Sequence, residues 1–139
     1  MGLILDTSVL IAAEHGSLDL PPFLDAHADE PVAMAAITAS ELLHGYHRAR
    51  DAGTRARRAA FVEALLDLIP VLPFGVREAR QHAELWAALM RKGSVIGPHD
   101  MLIAATALAH GDALATLNRK EFKRVAGLQL ARLDSYLAR

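Results

Sequence analysis

The sequence has no cysteine, which excludes disulfide scaffolds, thiolate zinc sites, iron–sulfur clusters and cysteine nucleophiles in one step. It agrees with a reducing, cytoplasmic setting. Aromatic residues are scarce at 5%, which argues against an extended base-stacking platform. Six Pro and nine Gly beside 53% hydrophobic residues exclude disorder and collagen-like or low-complexity architectures. No long hydrophobic run is present: uncharged stretches such as Met101 to Gly111 fall well short of the ~20 residues of a membrane span. The opening run Met1 to Leu5 is broken by Asp6 and lacks a basic flank, so no secretory signal is expected. Neither G-x-G-x-x-G nor a Walker-type G-K-[ST] occurs, so dinucleotide and nucleoside triphosphate sites have no support. A net charge of −1 gives no global basic field.

What remains is a chain of 139 residues, the size of one ordinary domain, expected to span 1–139. Its charge is unevenly spread. The first 47 residues carry seven acids (Asp6, Glu14, Asp19, Asp25, Asp29, Glu30 and Glu41) and no Lys or Arg, whereas the rest carry fifteen bases against nine acids. Short apolar runs alternate with helical patterns. Strands are expected at Leu3 to Leu5, Val32 to Ile37, Ile69 to Leu72, Ala113 to Leu117 and Leu128 to Leu133, the third near an edge because Pro70 cannot donate to a ladder. Helices are expected at Thr7 to Ala13, Pro21 toward His27, Thr38 to Arg50, Thr54 to Leu68, Val76 to Lys92, Asp100 to His110 and Arg119 to Val125. In the Val76 to Lys92 helix the residues Val76, Ala79, Ala83, Trp86 and Met90 form one apolar stripe, with Gly93 as its stop. The Asp100 to His110 helix has no charged face and is expected to be central. The alternation predicts an α/β domain with a mostly parallel sheet and helices on both faces.

Four polar positions stand out. Asp6 follows the first strand, Glu41 falls in the first turn of the helix after the second, Asp100 opens the buried helix, and Asn118 follows the fourth strand. In parallel α/β sheets the carboxyl ends of strands gather on one edge, where ligands bind at the topological switch point. Three carboxylates drawn together repel and gain proton affinity unless a cation neutralises them, and hard oxygen donors suit Mg²⁺ or Mn²⁺. Each residue also has a local explanation. Asp6 can cap a helix, Asp100 can complement a helix dipole, Thr38-Ala-Ser-Glu41 fits a capping box, and Asn118 can be a turn residue. Capping gives no reason for all four to lie on one sheet edge.

Four segments, Leu3-Ile-Leu-Asp-Thr-Ser-Val-Leu-Ile11, Ile37-Thr-Ala-Ser-Glu-Leu-Leu-His-Gly45, Ile96-Gly-Pro-His-Asp-Met-Leu-Ile-Ala-Ala105 and Leu114-Ala-Thr-Leu-Asn-Arg-Lys-Glu-Phe122, resemble the four ordered motifs of PIN domains, specifically the VapC toxins of bacterial toxin–antitoxin pairs. The resemblance implies a three-layer α/β/α domain with a five-stranded parallel sheet and a Mg²⁺- or Mn²⁺-dependent endoribonuclease that cleaves tRNA or ribosomal RNA. It also implies a homodimer neutralised by a small VapB-like antitoxin. Carried over by position, Asp6, Glu41 and Asp100 become the catalytic and metal-binding acids. Asn118 stands where many members have a fourth acid and joins the metal-binding set there, and Thr7, Ser8 and Thr116 match polar positions lining the pocket. Arg119 and Lys120, with Lys123 and Arg124, are then placed to hold substrate phosphates, as are Arg48, Arg50, Arg55, Arg57 and Arg58. Two other readings stay open: a phosphatase or receiver-like domain with Asp6 as phosphoryl acceptor, and a non-catalytic binding module that keeps the fold.

Overall fold

The computed structural model describes residues 1–138; Arg139, the last residue of the expected domain, lies outside them. The elements run β1 (Leu3–Leu5), α1 (Thr7–Glu14), α2 (Leu20–Ala26), β2 (Val32–Ala35), α3 (Ala36–His47), α4 (Ala52–Leu68), β3 (Val71–Leu72), α5 (Val76–Lys92), α6 (Pro98–His110), β4 (Ala113–Ala115) and α7 (Arg119–Phe122), then a 3₁₀ turn at Asp134–Tyr136. The sheet has the order β3-β2-β1-β4, and every pairing in it is parallel. Pro70 accordingly precedes an edge strand. All three residues of β1 are buried, as a strand covered on both faces requires.

Period-two alternation divides the interior. Leu3 and Leu5 join Met34 and Ala115 in one core beneath α1, α2, α3 and α4, while Ile4 joins Ala33, Ala35 and Leu114 in a second core beneath α5, α6 and α7. This is the expected three-layer arrangement. α6 is its most buried helix, with Met101 and Ile103 to Ala107 out of solvent. Among the described residues no helix is long and apolar enough to cross a membrane.

The expected fifth strand, Leu128 to Leu133, is reduced to a single parallel bridge between Leu130 and Leu114, so the sheet has four strands. Leu114 N–H donates to Gln129 O and Ala131 N–H donates to Leu114 O, but Arg119 Nη1 also donates to the Ala131 carbonyl at 2.7 Å. A side chain thus joins the backbone contacts where the ladder stops. The second strand also ends earlier than expected, at Ala35, and α3 starts at Ala36. Glu41 consequently lies in the second turn of its helix. The α5 stripe faces outward: Val76, Ala79, Ala83, Trp86 and Met90 are all exposed, and Leu85 and Leu89 face the core. Helical spacing identifies residues that share a face without saying which way that face points.

Candidate active site

The strand order makes β1 the point at which the chain changes direction, with β2 on one side and β4 on the other. A crevice beyond the carboxyl ends of β1 and β4 follows from this topology, and the chain puts Asp6 after one strand and Thr116 after the other.

Asp6 occupies the N-cap position of α1 without capping it. Its carboxylate is 2% exposed and accepts from Ser8 Oγ at 2.6 Å and Thr116 Oγ1 at 2.7 Å. Both hydroxyls are fixed from behind. Leu117 N–H donates to Ser8 Oγ at 3.0 Å and Asn118 N–H to Thr116 Oγ1 at 2.9 Å, which leaves each hydroxyl proton for Asp6. Glu41 is likewise no cap. Thr38 is buried inside α3 behind an N-cap at Ala35, so the T-x-x-E capping box does not form. Glu41 Oε1 accepts instead from Thr7 Oγ1 at 2.7 Å, and Thr7 Oγ1 lies 3.1 Å from Thr38 Oγ1. On its other side Glu41 Oε2 is 3.4 Å from His99 Nδ1.

Asp100 sits in the first turn of α6, after Pro98. Its carboxyl is pushed up to about 7, first by burial, then by the hydrogen-bonded carboxylate of Glu121 and the negative charges of Asp6, Glu121 and Glu41. Glu121 is the residue that sequence reasoning missed. Its Oε1 accepts from Gly97 N–H at 2.5 Å and its Oε2 from Asn118 Nδ2 at 2.7 Å. Those donors, the hydrogen bond with Asp100 and the charge of Arg124 hold Glu121 below the usual carboxylate range. Asn118 makes no cap bond either. Its amide bridges the two carboxyls, donating to Asp100 Oδ2 at 3.1 Å as well as to Glu121. The available sequence signal was Asn118-x-x-Glu121, which reads as a helix cap and opens a helix of only four residues.

The basic candidates divide. Lys120 is exposed, while the guanidinium of Arg119 is tied to Ala131 O and keeps its charge in a fixed position. Arg55 donates to Ala49 O, and Arg58 donates to Gly45 O while pairing loosely with Glu14. A cleft whose walls include Glu41, Gly45, Tyr46, Arg48 and Arg58 leads from the acids toward these arginines.

Among the described residues no three His, Asp or Glu side chains close into a ready-made metal cage. The donor chemistry nevertheless suits a hard divalent cation: Asp6, Glu41 and Glu121 stand near enough to Asp100 for their negative charges to raise its carboxyl. An ion of the Mg²⁺ type keeps several waters and needs only one or two carboxylates.

Fold and pocket together define an α/β domain with an acidic site at the switch point of a parallel sheet. The PIN domain family model matches residues 3–128. Ribonuclease VapC1 of Rickettsia felis is 40% identical over 135 residues, covering 97% of this chain and 98% of that protein. The tRNA(fMet)-specific endonuclease VapC of Salmonella typhimurium is 31% identical over 99 residues, 71% of this chain and 73% of the relative. In the crystal structure of VapBC2 from Rickettsia felis bound to a promoter DNA fragment, the matching chain superposes with a TM-score of 0.86 at 28% identity, covering 94% of this chain and 98% of that one. The chain belongs to the PIN-domain family, among its VapC ribonucleases.

Proposed function

We propose that this chain acts as a single-domain, divalent-metal-dependent endoribonuclease, the toxin of a toxin–antitoxin pair, which hydrolyses structured RNA such as tRNA or ribosomal RNA in the cytoplasm and so blocks translation. The observation that carries the reading is the cluster beyond the ends of β1 and β4: Asp6 held by Ser8 and Thr116, Glu41 held by Thr7, and Asp100 joined to Glu121 through Asn118, with Asp100 raised by burial and by the neighbouring acids. Membership among VapC ribonucleases supports RNA as substrate. The Rickettsia and Salmonella relatives solved as VapBC complexes support a small VapB-like antitoxin as partner.

Asp6, Asp100 and Glu41 would hold Mg²⁺ or Mn²⁺, with Asn118 placing Asp100 and Glu121 relative to each other. A bound divalent cation supplies charge neutralisation at the scissile phosphate and acidification of water. The residues supply position. Ser8 and Thr116 aim the Asp6 carboxylate, Thr7 fixes one oxygen of Glu41, and Glu41 Oε2, 3.4 Å from His99 Nδ1, would orient the attacking water and accept its proton. Attack of the water oxygen on phosphorus would break the P–O3′ bond, and the departing O3′ would take up a proton from solvent, leaving a 5′-phosphate and a 3′-hydroxyl. Lys120 and the fixed charge of Arg119 hold the phosphate on one side of the acids; Arg48 and Arg58 in the cleft hold it on the other. With aromatics scarce, the substrate is recognised by shape and by exposed loops rather than by stacking of an extended strand.

The test is cleavage of total RNA by purified protein with Mg²⁺, with EDTA, and in Asp6→Ala and Asp100→Ala variants shown to be folded, followed by sequencing of the new ends. Metal-dependent products bearing 5′-phosphate, lost in both variants, are expected. Products ending in 2′,3′-cyclic phosphate would overturn the water mechanism, and cleavage that survives either substitution would overturn the site.

A further inference from the structure

The cleft beside Glu41 is built to hold something flat. It encloses about 120 Å³, roughly four times the ~30 Å³ of one water in the liquid. Its floor is apolar: Leu10 of α1, Leu42 of α3 and Val62 of α4 line it and are all buried. The half-buried ring of Tyr46 stands in the wall. Two side chains of opposite charge also line it, Glu14 at the end of α1 and Arg58 on α4. The side chain of Glu14 is 22% exposed, and its neighbours His15 Nε2 at 3.7 Å and Arg58 Nε at 3.9 Å stand beyond hydrogen-bond distance. Arg58 uses one donor on a long bond of 3.4 Å to the Gly45 carbonyl. A carboxylate so placed keeps acceptor capacity for a ligand.

Position ties the cleft to the acids. Glu41 forms part of its wall, and Asp6 precedes and Glu14 ends the eight-residue helix α1, about 12 Å apart at 1.5 Å rise per residue. A base held there belongs to a nucleotide next to, or one removed from, a phosphate at the acids. Chemistry then selects the base. A carboxylate offers acceptors and no donor, so its ligand must present donors. Adenine and cytosine carry one exocyclic amino group each and uracil a single ring N–H. Guanine alone has a ring N–H and an amino group side by side, N1–H and N2–H, to match the two oxygens of Glu14. Its O6, on the same edge, is an acceptor for Arg58, whose five N–H donors serve a base as well as a phosphate oxygen. Tyr46 and the apolar floor receive the ring faces, as bases splayed out of loops require. We propose that this cleft is a guanine pocket, in which Glu14 reads the Watson–Crick edge of an unpaired guanine near the scissile phosphate and so decides where RNA is cut. The inference rests on the reading of the chain as an RNA nuclease.

The full chain is tested first on RNA. Cuts made in total RNA with Mg²⁺ are mapped by sequencing the ends, and guanine at one fixed position near the cut is expected. A synthetic RNA carrying a mapped site is then cleaved with guanine, inosine or adenine at that position. Inosine, which lacks only the N2 amino group, should lower kcat/KM about five- to tenfold and adenine about 100-fold, as loss of one or both base-reading bonds does. Glu14→Gln keeps one acceptor for N1–H but sets its own amide donors against N2–H. It should therefore cleave the guanine and inosine RNAs within about twofold of each other, because variant and analogue remove the same contact. Cuts with no preferred base or another base, or equal lowering of both RNAs by Glu14→Gln, overturn the inference and leave the nuclease reading standing. Binding is measured apart from cleavage. 5′-GMP and 5′-AMP are titrated in EDTA to about 10 mM, a range that reaches millimolar affinities, while the methyl NMR signals of Leu10, Leu42 and Val62 are followed. Shifts with GMP that are absent with AMP and lost in folded Glu14→Gln are expected. Equal shifts with both nucleotides, or none with GMP, overturn the pocket even where RNA is cut. GMP-specific shifts in a chain that cuts no RNA would support the pocket and overturn the nuclease reading instead.

Discussion

Two carboxylates occupy the same place in neighbouring helices and live in opposite electrostatic worlds. Glu78 is the third residue of α5 and Asp100 the third residue of α6, positions where an acid ordinarily complements the helix dipole. Glu78 does so. It accepts from Gly75 N–H at 2.8 Å and lies 3.2 Å from His110 Nε2 and 3.9 Å from Arg77 Nε. That backbone bond, with the charges of His110 and Arg77, holds its carboxyl below the usual range. Asp100 accepts from a neutral amide, faces Glu121, and is pushed up to about 7. A carboxylate surrounded by its own complement stabilises the fold, whereas one surrounded by like charges waits for a ligand that is not part of the chain.

The largest expected consequence separates the two by activity. Asp100→Ala is expected to lower RNA cleavage about 10³-fold or more, the loss of several kcal/mol of charge stabilisation. Glu78→Ala should stay within about twofold of wild type per folded molecule. Equal losses in initial-rate assays on one RNA would erase the distinction. Next comes Asn118→Ala, which removes the donor shared by Asp100 and Glu121 and is expected to reduce activity about 10- to 100-fold, as loss of groups that orient metal ligands does. Metal titration of the rate should show the loss mainly as weaker metal dependence.

A third prediction uses pH, and the two carboxylates pull in opposite directions. For Asp100 the folded value of about 7 exceeds the ordinary 3.8. Its contribution to stability is therefore complete below about pH 4 and is lost as pH rises toward 7. Half-exposure to solvent limits the effect to about 1–2 kcal/mol. Glu78 is shifted down, so its contribution is present above the ordinary 4.5 and is lost as pH falls through the lowered value. Urea melts in EDTA between pH 4 and 8 should show the neutral-side loss disappear in Asp100→Asn and persist in Glu78→Gln. Added Mg²⁺ should reverse that loss in the wild type, because the cation competes with the proton. The smallest effect is thermal: Glu78→Gln is expected to lower the melting midpoint by a few degrees with cleavage unchanged, read by calorimetry and the same rate assay.

The two helix starts also show where sequence reading stops. Asp6 and Asn118 were legible because each follows an apolar run read as a strand, Asp100 because it opens a helix with no polar face, and Glu41 because it falls early in the helix after the second strand. Glu121 was not, because three residues after Asn118 it has the spacing of a cap, and only the crossing of α7 by the Gly97 loop reveals its partners. The hydroxyls of Ser8 and Thr116 were placed in the pocket by family position, yet their common target, Asp6, follows from β1 lying beside β4. The fifth strand failed for a related reason. Its apolar residues are adequate, but a long-range bond from Arg119 meets the ladder at Ala131.

Local composition by itself determined the alternation of strands and helices, the burial of α6 and the candidate acids, since these rest on periodicity and on the few conformations each residue tolerates. It also determined that Val76, Ala79, Ala83, Trp86 and Met90 share one face of α5. Only the tertiary structure decided that this face points outward, because Leu85 and Leu89 reach the core and one helix cannot bury both sides against a single sheet. The same holds at the pocket. Whether an acid is a cap or a cation site depends on what stands within a few ångströms of it, and that is set by strand order, which brings residues more than a hundred positions apart into one hydrogen-bonded cluster.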